Sequence, residues 1–223
     1  MKSLKTIWLI AKNDMALELR RREVVLTILG FSTLVFIIFT FTLDIKTYES
    51  QKFVPGIFWS AIAFAYALGL NKRFASEIEN GTFEGLLLAP ISRDIIFIGK
   101  FLGNFCFLFI STLISLPITT ILFNISLFRI ESLLICLVIS VGLSTLGTLF
   151  AIMTVRVRAK EIMLPLLFLP AISPLLLAGV ESMSELTIGS NYSEFKTWIS
   201  FAVAYDLLFF VISVFLFHYT VQE

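Results

Sequence analysis

Six long stretches of this chain are nearly free of charge, and the charged residues gather between them. The stretches cover residues 24–43, 53–70, 95–122, 132–153, 161–180 and 198–217. Each is close to or above the roughly 20 apolar residues that a helix needs to cross about 30 Å of hydrocarbon. Unpaired backbone groups are too costly in lipid for any open alternative, so the pattern predicts six transmembrane helices. Pro117 is expected to kink the third near its outer end, and Pro165, Pro170 and Pro174 to bend or break the fifth. Residues 1–23 follow a different rule. Leu4, Ile7, Trp8, Ala11, Met15 and Leu19 recur every three or four positions, while Lys5, Lys12, Asn13 and Arg20 fall off that stripe. Such a segment reads as an amphipathic helix lying in the membrane interface. The fold class expected is an all-α polytopic membrane protein, with one domain over residues 1–223.

Composition strengthens this reading. Of 223 residues, 58% are hydrophobic and 15% charged, and the mean hydropathy is +0.95. A soluble domain is nearer half apolar and a quarter charged. The net charge of +1 brings no basic patch, and no nucleic-acid partner is expected. The first apolar run follows a long charged segment without a small-residue cleavage site, so no signal peptide is expected either.

The charges carry an orientation. With the N-terminus inside, the inner segments hold Lys2, Lys5, Lys12, Arg20, Arg21, Arg22, Lys72, Arg73, Arg93, Arg156, Arg158 and Lys160, with Lys100 just inside the third span. The outer segments hold only Lys46, Lys52, Arg129 and Lys196. This excess predicts that both termini are cytoplasmic.

Several chemistries find no support. Gly99-Lys100 lacks the upstream glycine and following hydroxyl residue of a phosphate-binding loop. The lone histidine, His218, sits at the inner end of the last span, where an interfacial ring is the plain reading. Cys106 and Cys136 lie at different depths and suit packing better than a disulfide. No metal site and no catalytic residue is expected; energy for any work must come from a partner.

The loop from 71 to 94 is the most informative stretch. Gly81 suits a turn, Thr82 can cap a short helix, and Glu84 falls in its first turn against the positive dipole end. Pro90 closes that helix and Ser92 can cap the next. Phe83 with Leu86, Leu87 and Leu88 offers more apolar surface than a linker needs. The helix either packs on the membrane surface or serves as a coupling helix fitting a groove on a cytoplasmic ATPase.

The run from Glu77 through Gly81-Thr82, Glu84 and Leu86-Leu87, then Ala89-Pro90-Ile91-Ser92-Arg93 and Gly99-Lys100, resembles the ABC-2 class of exporter permeases. The N-terminal run Trp8 to Asp14 and on through Glu18 to Glu23 is similar to the CcmB family of cytochrome c maturation, as are chain length and six-span layout. This resemblance implies a permease subunit in the bacterial inner membrane, working with an ATPase subunit (CcmA) that binds ATP. It also implies membrane partners CcmC and CcmD, the haem chaperone CcmE, and either two permease copies or a permease heteromer. ATPase docking would fall on Glu77, Gly81, Thr82, Phe83, Glu84, Leu86, Leu87 and Pro90. Haem would be handled by the complex. The chain lacks the tryptophan-rich outer loop with flanking histidines of the haem-handling partner, so no resident cofactor is expected here. The function implied is coupling of ATP hydrolysis to haem delivery or to release of the haem-loaded chaperone. Alternatives are an exporter of a drug, lipid or polysaccharide on the same fold, or a structural membrane subunit.

Polar residues inside the spans complete the candidates. Asp206 sits halfway along the sixth span, where a carboxylate costs about 2.5–3.5 kcal/mol on insertion scales. Asn104 is a candidate hydrogen-bonding neighbour. Ser140, Ser144 and Thr148 form a small-residue stripe, with Gly147 and Ala151 a second, suited to close packing within one chain or between two. The outer segment 181–197, with Glu181, Glu185 and Glu194, either is solvated or meets an outer partner.

Overall fold

The computed structural model describes residues 2–43, 48–127, 129–154, 160–188 and 192–220. Among them the chain forms eight α-helices: α1 (Lys2–Arg21), α2 (Glu23–Thr42), α3 (Tyr48–Glu79), α4 (Thr82–Leu88), α5 (Arg93–Phe123), α6 (Ile130–Thr154), α7 (Lys160–Ile188) and α8 (Tyr192–Thr220). Six of these, α2, α3 and α5 to α8, are long and apolar enough to cross a membrane, as the hydrophobic runs predict. The chain is a multi-pass membrane protein. Lys46, Arg156 and Arg158, used above for orientation, lie outside the described residues.

Packing separates a centre from a rim. In α3 and α6, 72% of the most apolar stretch is buried inside the chain, against 22% in α2 and 17% in α8. The small-residue stripes of α6 explain its central place. At Gly147 an added Cβ would stand 2.6 Å from Leu70 Cδ1 and 2.7 Å from Tyr66 Cε1, so only glycine lets α3 approach this closely. Ser140, Ser144 and Thr148 are likewise buried. The stripes serve packing within one chain.

Neighbouring spans alternate in direction. Val24 at the start of α2 meets Gly69 late in α3, and Phe97 at the start of α5 meets Phe217 at the end of α8, with ring centroids 5.5 Å apart. The first span and the last therefore begin and end at the same face of the bundle, where α1 and α4 also lie.

Two expectations need correction. The second apolar stretch does not end at residue 70, because α3 continues as one helix to Glu79. The inter-span connection thus shrinks to the short α4 and its flanking turns. The prolines do not break α7, which is continuous from Lys160 to Ile188. Pro174 has no N–H to offer the carbonyl of Pro170, and Ser173 Oγ donates to that oxygen instead at 2.8 Å. Tyr205 of α8 adds a hydrogen bond to the next carbonyl, Ala171. Pro117 lies inside α5, which extends to Phe123.

The N-terminal helix is amphipathic as expected, but one flank is committed to protein. Ile10, Ala11, Asp14 and Glu18 are buried, while Leu4, Trp8, Leu9 and Leu17 stay exposed. The buried flank rests on α5 at Gly99, where an added Cβ would lie 2.8 Å from Ile10 Cβ. A single residue, Arg22, joins α1 to α2 in the left-handed region (φ 56°). Glu18 Oε1 then accepts from the backbone N–H of Val24 at 2.6 Å and of Val25 at 3.1 Å, capping α2 from the preceding helix.

Candidate functional site

Helical spacing sets up the site. Arg73 and Glu77 are four residues apart on α3, and Lys100 and Asn104 four apart on α5, so each pair shares a helix face. The faces meet, and α1 brings Asp14 between them. Lys100 Nζ lies 3.2 Å from Asp14 Oδ1 and 2.7 Å from Glu77 Oε2. Arg73 Nη2 lies 2.6 Å from Asp14 Oδ2, and Nε 3.3 Å from Glu77 Oε1. Every carboxylate oxygen thus faces a cationic nitrogen, Lys100 Nζ serving one oxygen of each acid, and two cations and two anions close a neutral ring. The Asp14 Oδ2 contact is a close ion pair off the hydrogen-bond direction. Side-chain exposure is 7% at Asp14, 8% at Arg73, 6% at Lys100 and 15% at Glu77. At such burial unpaired charge is not tolerated, which is why the pairing is complete.

The ring has an extension towards the bundle centre. Arg73 Nη1 donates to Asn104 Oδ1 at 2.7 Å, which leaves the Asn104 amide nitrogen to donate to Thr148 Oγ1 of α6, also at 2.7 Å. Thr148 passes its own proton to the Ser144 carbonyl at 2.7 Å. Above Arg73 the guanidinium carbon stands 5.2 Å from the centroid of the Phe107 ring, a cation–π contact. A cleft of about 250 Å³ opens beside the ring, lined by Asp14, Glu18, Glu23, Arg73, Glu77 and Thr82 among others.

The short helix α4 is joined directly to this cluster. Gly81 takes φ 64° and ψ 10°, a left-handed turn that a side chain resists, and occupies the N-cap position. Thr82 does not cap α4: its hydroxyl donates back to the Glu77 carbonyl at 3.0 Å and closes the end of α3. Ser92 occupies the N-cap of α5 without a side-chain hydrogen bond. On α4, Glu84, Gly85 and Leu88 are exposed, with Leu88 87% accessible. Leu86 and Leu87 are half-buried against the core, and Pro90 is exposed. The side chains of Phe83 and His218 lie outside those described.

The structure therefore divides the sequence candidates. Glu77 belongs to the buried ring and not to the outer face of α4. Asn104 and Asp206 are not hydrogen-bonding neighbours: Asn104 serves Arg73 and Thr148, while Asp206 of α8 packs against Gly142 of α6. An added Cβ at Gly142 would overlap Asp206 Oδ1 and lie 2.5 Å from Leu175 Cδ2. Asp206 is 6% exposed, and its Oδ1 has no hydrogen-bond partner among the described residues. Cys106 and Cys136 are free thiols. At the far face, Arg129 Nη1 donates to the Leu186 carbonyl at 3.2 Å, tying the α6 entry to the end of α7.

The polar pairing of Asp14, Arg73, Lys100 and Thr148 escapes reading by periodicity. Arg73 registers in sequence only as an orientation charge, and Lys100 as an orientation charge and half of the Gly99-Lys100 pair. The available signal was the four-residue spacing of Arg73 with Glu77 and of Lys100 with Asn104 at two span ends, and the position of Asp14 on the same flank as Ile10 and Ala11.

Comparison with known proteins agrees with the architecture. The chain is 26% identical over 200 residues to heme exporter protein B of Pseudomonas aeruginosa, covering 89% of this chain and 90% of that one. It is 29% identical over 131 residues to heme exporter protein B of Rhodobacter capsulatus, covering 58% and 60% of the two chains. To heme exporter protein B of Paracoccus denitrificans it is 27% identical over 142 residues, or 63% and 65%. The family model described as CcmB protein matches residues 5–223, which takes in α1 with Asp14, the α3–α4 corner and all six spans. A match of that extent makes the chain a member of the CcmB family.

Proposed function

We propose that this chain is the permease subunit of a haem-export complex for cytochrome c maturation in the bacterial inner membrane. Both termini face the cytoplasm, and α4 receives a separate ATPase subunit (CcmA). The reading is supported by family membership and by the heme exporter names of the relatives. The positive charges at the α1/α4 face favour the orientation. One observation carries the docking: α4 projects Glu84, Gly85 and Leu88 outward while Thr82 fixes its root to the last turn of α3. A short helix held from behind and apolar at its tip suits a groove on a rigid partner. ATP hydrolysis in the partner then drives haem delivery or release of the haem-loaded chaperone CcmE, with CcmC and CcmD completing the complex.

Co-purification tests the docking. Leu88→Asp places a charge at the exposed anchor and is expected to cut ATPase recovery by about tenfold or more, with the chain still inserted in the membrane. Full recovery of the ATPase would refute docking on α4.

A further inference from the structure

Glu77 is gripped from two sides. Its side chain closes the ion ring, and its carbonyl accepts the Thr82 hydroxyl at the root of α4. At the opposite side of the ring, Arg73 leads through Asn104 to Thr148 and the Ser144 carbonyl, two residues from the close contact of Gly142 with Asp206. A continuous set of short polar contacts therefore runs from α4 to α6, the helix at the centre of the bundle. Beyond α4 only Glu77, with 15% side-chain exposure, is partly open, and rigid contacts in a packed interior transmit displacement where a solvated loop would absorb it.

We propose that Asn104 and Thr148 are positioning residues that carry movement of α4 into α6, so that the ATPase and the membrane bundle change state together. Both residues are buried inside the bundle, and neither is needed to neutralise the ring, whose four charges pair among themselves. Their amide and hydroxyl bridge is the direct polar link from the ring to α6. An apolar residue of similar size at either place fills the space but lets α5 and α6 slide. The inference rests on the docking reading above.

The test uses the intact complex in cells and after purification. Thr148→Val removes the hydroxyl at constant shape, Thr148→Ser keeps it, and Asn104→Leu removes both bonds of the amide. ATP hydrolysis by the purified complex and holocytochrome c formed in cells are measured for each. Thr148→Val and Asn104→Leu are expected to keep the ATPase bound and hydrolysing, while holocytochrome c falls by about tenfold. Thr148→Ser should remain near wild type. The double variant Asn104→Leu/Thr148→Val should be no worse than Asn104→Leu alone, because the two act in series. Wild-type holocytochrome c in both single variants overturns the proposal. So does a parallel loss of ATPase and product, which marks a merely structural role. Failure of the wild-type chain to retain any ATPase would refute the docking reading instead, and is seen without any variant.

Discussion

Two places in this molecule bury carboxylates, and they do so in opposite ways. At the α1/α3/α5 corner, Asp14 and Glu77 set four oxygens against three nitrogens of Arg73 and Lys100. In the middle of the bundle, Asp206 meets the bare backbone of Gly142, and its Oδ1 has no hydrogen-bond partner among the described residues. The first arrangement joins three helices through charge that cannot be removed one piece at a time. The second lets α8 lie close to α6 through a shape match, a glycine on one side and a small acid on the other. Burial alone thus says little about what a carboxylate does; the groups opposite it decide.

The contrast breaks most sharply at Arg73. Arg73→Leu leaves Lys100 alone against two carboxylates and orphans Asn104, and should cost about 3–5 kcal/mol, read by denaturant titration of the purified chain in detergent. Next comes Gly142→Val, which forces Asp206 and Leu175 aside; overpacking of this kind costs about 1–3 kcal/mol in the same titration. Asp206→Asn keeps the shape and should shift stability least, by less than about 1 kcal/mol. A large loss on Asp206→Asn would show that the mid-bundle acid is held by its charge after all, and the contrast would fail.

The same contrast explains what was legible in the sequence. All six spans could be read because uninterrupted apolar length has one solution in lipid. The end of α3 could not, since Lys72, Arg73, Glu77 and Glu79 have the hydropathy of a loop. Hydropathy cannot distinguish a charge in water from a charge paired in a buried ring. Glu77 and Asn104 were visible as candidates, but their partners were not. Lys100 pairs with Asp14 across 86 positions and Asn104 with Thr148 across 44, and no local periodicity encodes such distances. Thr82 shows the limit at short range: its type suited a cap for α4, whereas the left-handed turn at Gly81 aims its hydroxyl at α3.

The placement of Asp14 also constrains how the chain is made. Ribosomes deliver α1 first, yet the two cations that neutralise its acid belong to α3 and α5, and Gly99, on which Ile10 rests, comes later still than Arg73. Until α5 has been synthesised and inserted, α1 lacks the Gly99 seat and the Lys100 half of its ion pairing. Birth order and assembly order therefore run in opposite directions at this corner. α1, made before the helices that hold it, is seated only after half of the spans are in place.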